Sequence, residues 1–308
     1  MKTLKFAVAV VAPLALLLTA CGGTNEGSGV TEIRIDGSST VAPLAAAAGE
    51  LFRVDNPNIN VSVGTSGTGG GFEKFCAGET DISTASRPIK EEEAAACADA
   101  GIEFVELVVA NDALTVVVNK ENTWATCLTV AELNKIWAPE SEGTVTNWSQ
   151  VREGFPDVAL DLYGAGTDSG TFDYFTDVIN GEEGASRTDY NPSEDDNVTV
   201  QGVTGSAGGL GYFGFSYYEE NMDVLTAVEI DNGAGCVAPS SENASSGTYA
   251  PLSRPLFIYV SKAAAAKAEV KSFAEYFVAN DDAITEKALF VPLSEEQKAT
   301  AAAAVATL

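Results

Sequence analysis

Three separate stretches of the chain make the same transition. A short β-branched or alternating run gives way to serine, threonine and glycine, and these give way to apolar residues at the three-and-four spacing of a helix face. In the first, Ile33-Arg34-Ile35 leads through Asp36-Gly37-Ser38-Ser39-Thr40 to Val41, Leu44, Ala48, Leu51 and Phe52. In the second, Asn60 to Val63 leads through Gly64-Thr65-Ser66-Gly67-Thr68-Gly69-Gly70-Gly71 to Phe72 and Phe75. In the third, Leu160 to Tyr163 leads through Thr167-Asp168-Ser169-Gly170-Thr171 to Phe172, Phe175, Val178 and Ile179. Repeated strand–loop–helix units of this kind call for α/β layers with mostly parallel sheets, and ligands of such sheets collect beyond the carboxyl ends of the strands.

Any one of these stretches, taken alone, is an ordinary helix cap, because serine and threonine are the usual residues there. Three of them brought together would be a cage of hydroxyl and backbone N–H donors at helix starts, where unpaired N–H groups and the positive end of the helix dipole favour an anion. The donors would be the hydroxyls of Ser39, Thr40, Thr68, Ser169 and Thr171 and the N–H groups of Val41, Gly69 and Gly170. Among six arginines, Arg87 stands out in the small apolar segment Ile82-Ser-Thr-Ala-Ser-Arg-Pro-Ile89, where Pro88 holds it out of helical geometry. A guanidinium there could grip two oxygens in a bidentate fork. Arg187 and Arg254 stand as the alternatives. This inventory fits a tetrahedral oxyanion.

Charge and composition narrow the function classes. The 308 residues are 45% apolar and carry a formal charge of −27. That balance gives no electropositive footprint for nucleic acid or an anionic membrane surface. An anion ligand must therefore be held by short-range groups, with salt screening the remaining field. The chain has no histidine. Ser-His-Asp and Cys-His nucleophiles and the usual catalytic zinc sites are excluded on that ground. No cofactor or metal is expected; the acidic run Asp189 to Asn197 lacks the spacing and glycine of a calcium loop.

Lys2 and Lys5 precede an apolar run from Phe6 to Leu18, too short to span a membrane, followed by Leu18-Thr19-Ala20-Cys21. Residues 1–20 read as a secretory signal. The small residues before Cys21 resemble a bacterial lipobox, which implies a lipidated Cys21 at the start of a flexible tether over residues 21–29. Loss of Lys2 and Lys5 with the leader takes the charge to about −29. The remaining cysteines, Cys76, Cys97, Cys127 and Cys236, allow three pairings. Keeping each bridge inside one lobe favours Cys76–Cys97 and Cys127–Cys236.

Further along, Phe104 to Val109 and Leu114 to Asn119 read as strands split at Asn111-Asp112. Helices are expected over Glu91 to Ala100, from Thr129 to Trp137, over Ala263 to Asn280, and from the capping box Ser294-Glu-Glu-Gln297 to Val305.

The motifs Asp36-Gly-Ser-Ser-Thr, Gly64-Thr-Ser-Gly-Thr-Gly-Gly-Gly, Ala85-Ser-Arg-Pro-Ile, Gly166-Thr-Asp-Ser-Gly-Thr-Phe-Asp and Pro251-Leu-Ser-Arg-Pro-Leu-Phe-Ile-Tyr resemble, in this order, those of the extracytoplasmic phosphate-binding lipoproteins of bacterial phosphate ABC importers. The resemblance covers the mature chain. It implies a two-lobed type II periplasmic-binding-protein fold with two crossing hinge strands, closing over inorganic phosphate and docking on ABC importer permease subunits. A monomer without enzyme activity is implied. The lobes would be residues 30–110 with 250–308, against 111–249. By position, Thr40 and Val41 match the family's first-loop ligands, Thr68 its second-loop hydroxyl, and Ser169, Gly170 and Thr171 its third loop.

Two positions depart from the best-known branch. Ala165 stands where that branch has an arginine, and Arg87 where it has an aspartate. The reading from these departures is an exchange of charges between lobes, with Arg87 as the guanidinium and Asp168 as a carboxylate that accepts the proton of monohydrogen phosphate and repels sulfate. Other oxyanions such as sulfate or molybdate, or a sensor without transport, are the alternatives. A hydrolase acting through Ser169 would lack a convincing base.

Overall fold

The computed structural model describes residues 30–308. The expected leader, Cys21 and the tether at 21–29 lie outside the described residues. The first unit runs β1 (Thr31–Gly37), α1 (Ala42–Asp55), β2 (Ile59–Val63), α2 (Gly67–Cys76), β3 (Ile82–Ala85) and α3 (Glu91–Asp99). A long strand, β4 (Phe104–Asn119), then leads to β5 (Cys127–Thr129), α4 (Val130–Trp137) and α5 (Trp148–Val151). The third stretch joins β6 (Asp161–Ala165) to α6 (Gly170–Asn180). After it come β7 (Asn191–Ser193), α7 (Asp196–Gly205), β8 (Gly209–Gly214), α8 (Phe215–Glu220), β9 (Leu225–Ala227), β10 (Glu229–Asp231), β11 (Cys236–Val237) and α9 (Ser241–Ser245). The chain returns through β12 (Ser253–Ser261) and ends with α10 (Ala268–Ala279), α11 (Asp281–Ala288) and α12 (Glu295–Val305).

The main sheet has the order β2-β1-β3-β12-β4-β8-β6-β7, with β9 also on β4. Strands β1, β2 and β3 are parallel, as are β6, β7 and β8, whereas β12 and β4 run antiparallel to each other. The first half of β4 pairs with β12, and its second half pairs with β8 and β9. One strand therefore belongs to two sheet halves, each with its own core. Ile33, Phe52, Leu107, Ile258 and Phe273 pack in one core, and Val116, Trp137, Trp148, Phe175 and Tyr212 in the other. The segment from Tyr249 to Val260 crosses the same seam in the opposite direction: Tyr249 and Leu252 sit in the second core, Leu256 and Ile258 in the first.

The expected break at Asn111-Asp112 does not occur; β4 is continuous through it. Polar residues tolerate a buried strand when every group is paired. The Asn111 backbone exchanges hydrogen bonds with Val291, at 2.9 and 3.0 Å, while its amide donates to Pro292 O and meets Gln297. Asp112 faces Arg254 across the β4–β12 ladder. The polar pair that reads as a turn in sequence is the seam of the molecule.

Elsewhere the expected helices are present, except that the one expected from Ala263 begins only at Ala268, after a 3-10 turn and an extended Lys267. Thr129 and Ser294 each accept the N3 amide of their helix in a capping box. The acidic run Asp189 to Asn197 holds β7 and the start of α7. The bridges are Cys76–Cys97, joining α2 to α3, and Cys127–Cys236, joining β5 to β11. No helix among the described residues is long and apolar enough to cross a membrane.

Candidate functional site

The Ser/Thr/Gly stretches follow the carboxyl ends of β1, β2 and β6 and open α1, α2 and α6. They face a crevice of about 560 Å³ at the seam. One wall carries Ser39 and Thr40 from the first stretch, Thr68 and Gly69 from the second, and Ser86, Arg87 and Lys90 from the segment after β3. The opposite wall carries Gly170, Asp173, Tyr174, Asp177 and Glu183, and Arg254 of β12 also lines the crevice. The walls come into contact. A Cβ built on Gly170 would lie 2.7 Å from the Thr40 hydroxyl oxygen. Among the described residues, the N–H groups of Ser39, Thr40 and Val41 donate to no protein acceptor. They are the orphan donors of a helix start.

The second stretch turns helical earlier than its Phe72/Phe75 pattern indicates, since α2 begins at Gly67. The glycine run has a packing reason. A Cβ on Gly71 would press 3.0 Å from the Ser83 hydroxyl, so α2 can lie flat on β1 and β3 only without one. Asp36 ties this stretch down by accepting the Ser66 N–H and hydroxyl at 3.0 and 2.6 Å and pairing with Lys74. Burial opposes the Asp36 charge, yet the hydrogen bonds from Lys74 and Ser66 hold its carboxyl below the ordinary value. The Thr68 hydroxyl, 3.2 Å from that of Ser86, joins the second stretch to the segment after β3.

A model of the PBP superfamily domain matches residues 22–281. The chain is 50% identical to SphX of Synechococcus elongatus over 298 residues, covering 95% of this chain and 88% of that protein. It is 41% identical to the phosphate-binding protein PstS of Staphylococcus saprophyticus over 252 residues, covering 80% and 76% of the two chains. The chain belongs to the PstS and SphX family of the PBP superfamily. A crystal structure of a possible phosphate binding protein from Planctomyces limnophilus superimposes on this family member with a TM-score of 0.85 at 48% identity, covering 91% of this chain and 99% of that one. An ABC-type phosphate transport receptor from Vibrio cholerae shares the fold with a TM-score of 0.68 at 23% identity, covering 85% and 99%.

Within this PstS/SphX-type fold, the residues expected from sequence divide into groups. Ser39, Thr40, Thr68, Gly69, Arg87 and Gly170 line the crevice. The Val41 side chain is buried in the first core, leaving only its backbone toward the helix start. Ser169 caps α6, its hydroxyl accepting the Thr171 N–H at 3.1 Å. Thr171 lines a smaller cavity of about 210 Å³, which Asp112 also lines. Asp168 is exposed and outside the crevice lining, its N–H directed to Glu194 at 3.3 Å. The carboxylates that line the crevice are Asp173, Asp177 and Glu183. Asp173 lies one helical turn into α6, where burial, then Glu183, push its carboxyl above the ordinary value while Arg254 opposes them.

Arg87, expected as an open fork, lines the crevice with a carboxylate partner of its own. Its two terminal nitrogens donate to the two oxygens of Glu93, each at 2.8 Å, and Glu93 also accepts the Lys90 N–H. The bidentate partner is a carboxylate of α3. Arg187 is 3% exposed and structural, donating to the carbonyls of Ile136 and Val145 at 2.9 Å and pairing with Asp189. Arg254 sits on β12 with its Nε 3.2 Å from Asp112 and its guanidinium carbon 3.6 Å from the centre of the Tyr174 ring. In sequence Arg254 is only an alternative, because nothing local distinguishes an arginine before a proline in a strand. The signal was its motif, Pro251-Leu-Ser-Arg-Pro, which ends the crossing segment.

Proposed function

We propose that this protein captures inorganic phosphate in the crevice between its lobes and delivers it to the permease subunits of an ABC importer. The lobes are residues 30–110 with 250–308, and 111–249, each built around one of the two cores. The observation that carries the reading is the convergence of Thr40, the unpaired N–H groups at the start of α1, and Gly170 at the start of α6. Two helix N-termini from different lobes aim donors at one place, which suits a small anion and no apolar ligand. Binding draws on both walls, so the anion stabilises the closed arrangement. That closed form is what a permease would recognise.

The similarity to the phosphate-binding protein PstS of Staphylococcus saprophyticus supports phosphate as the ligand. No chemical step is required of the site, and the protein acts as a binding module. It is exported, carries a lipid on Cys21 after loss of residues 1–20, and reaches its permease as a monomer on the tether at 21–29. Calorimetric titration of the purified protein with phosphate and with sulfate tests the ligand. Saturable binding of phosphate with much weaker binding of sulfate is expected. Equal binding of both, or preference for sulfate or molybdate, would move the protein to another oxyanion. Radiolabelled palmitate on wild type but not on Cys21→Ser would test the anchor.

A further inference from the structure

We infer that Arg254, aimed by Asp112, is the guanidinium that holds the anion, and that its place on β12 ties anion binding to the seam between the lobes. The inference rests on the phosphate reading and names the cation of that site. Arg87 and Arg254 are the arginines lining the crevice. Arg87 has both terminal nitrogens committed to Glu93, in a pair that also caps α3 through Lys90. An anion there could reach only the Nε–H and the remaining Nη2–H, on a guanidinium whose charge Glu93 already balances.

Arg254 is arranged differently. Asp112 takes its Nε, at 3.2 Å, and leaves the two terminal nitrogens without a hydrogen bond to a carboxylate among the described residues. Among the described residues, the side-chain hydrogen bond of those nitrogens is to the Thr40 hydroxyl, 3.4 Å from Nη2. Thr40 is also the residue in contact with Gly170. The free edge of the guanidinium therefore points to the place where the helix starts of the two lobes meet. Its plane is fixed from the side by the Tyr174 ring at 3.6 Å, and Tyr174 is itself held by its hydroxyl donating 2.7 Å to Pro251 O. A rigid planar fork with its edge open is the preorganised form in which arginine recognises tetrahedral oxyanions.

The pair also lies at a mechanical junction. Arg254 and Asp112 are register partners on the strands that connect the lobes, while Tyr174 belongs to α6 of the second lobe and Thr40 to the first. An anion bound to the Arg254 edge joins all of these at once. Asp112 does not touch the anion; it is a positioning residue.

Phosphate calorimetry on the full chain, with Arg254→Ala, Arg254→Lys, Asp112→Asn, Asp112→Glu and Arg87→Ala beside wild type, tests this. Arg254→Ala should weaken phosphate binding by about 10- to 100-fold, the worth of charged hydrogen bonds, and Arg87→Ala by less than about 3-fold. If Arg254→Ala does not fold, Arg254→Lys, which keeps the charge and loses the fork, should still lose about tenfold. Asp112→Asn should weaken binding by about tenfold with Asp112→Glu restoring part of it. A purely structural Asp112 would lower the unfolding midpoint and leave the affinity of the folded protein unchanged, which overturns its assigned role. Wild-type affinity in Arg254→Ala, or in Arg254→Lys if that is the variant that folds, overturns the inference and leaves the phosphate reading intact. Absence of phosphate binding by wild type removes both.

Discussion

The Thr40 hydroxyl lies against the α-carbon side of Gly170, so close that a methyl group on Gly170 would sit 2.7 Å from it. This contact joins the N-terminal ends of α1 and α6 across the seam, and it leaves room for no side chain at position 170. Gly170→Ala is therefore expected to block full approach of the lobes without harming either one. Alanine is a better helix residue than glycine, so the unfolding midpoint should hold or rise. Phosphate affinity should fall by about tenfold or more, as 1.4 kcal/mol of lost contact implies. Calorimetry with a parallel thermal melt checks both halves.

Selectivity should reside in Asp173 and not in Asp168. A carboxylate lining the crevice rewards an anion that still carries a proton and penalises one that does not. Asp168→Asn, on the exposed turn, should leave the ratio of phosphate to sulfate affinity unchanged. Asp173→Asn should reduce that ratio, chiefly by strengthening sulfate binding. Competition titrations of the two variants distinguish them.

Arg187 should matter for stability alone. It is buried, and its removal leaves the carbonyls of Ile136 and Val145 without donors. Arg187→Met is expected to destabilise the fold by about 3 kcal/mol, the usual cost of breaking a buried charged arrangement. Phosphate affinity at a temperature where the variant is folded should match wild type. Denaturant unfolding and calorimetry together give the answer.

The pH dependence of stability has two opposing parts. Hydrogen bonds from Arg187 hold Asp189 down at about 2, and Lys74 and Ser66 hold Asp36 below its ordinary value against burial. Folded-state values below the unfolded ones mean stability present above about pH 4 and lost as the pH falls through the folded values. Asp196 is the reverse case. Burial first, then Asp195 and Glu194, raise it to about 6. It disfavours the folded state increasingly as the pH rises from about 4 to 6. Asp196→Asn should then be more stable than wild type above about pH 6 and no more stable below about pH 4. Melts across that range read the crossover.

Both bridges should be closed in protein secreted under oxidising conditions. Alkylation without reductant is expected to label none of Cys76, Cys97, Cys127 and Cys236. Reduction should cost about 3 kcal/mol for the shorter loop and somewhat more for the longer. Mass spectrometry and denaturant melts with and without reductant check this.

Much of the fold was legible because the deciding signals are local. The strand–hydroxyl–helix stretches, the helix start at Thr129, the capping box at Ser294, and the apolar faces of α1, α6 and α10 each announce themselves within about a dozen residues. What was not legible depends on partners distant in sequence. Asn111-Asp112 has the composition of a turn, and becomes the middle of a strand only because Val291, Gln297 and Arg254 pair it. Arg87 has the composition of an open anion ligand, and only the position of Glu93 on α3 shows that its fork is taken. Asp168 and Asp173 are the same residue type, five positions apart. Asp173 lies on α6 and lines the crevice, whereas Asp168 sits on the exposed turn before that helix.

The central claim is that phosphate is held at the seam by donors from both lobes. A crystal structure of the protein grown with phosphate tests it most directly. The prediction is a phosphate within about 3.2 Å of the Thr40 hydroxyl, the Gly170 N–H and a terminal nitrogen of Arg254 at once. A phosphate bound to one lobe alone, or on another surface with the crevice closed around none, would contradict it.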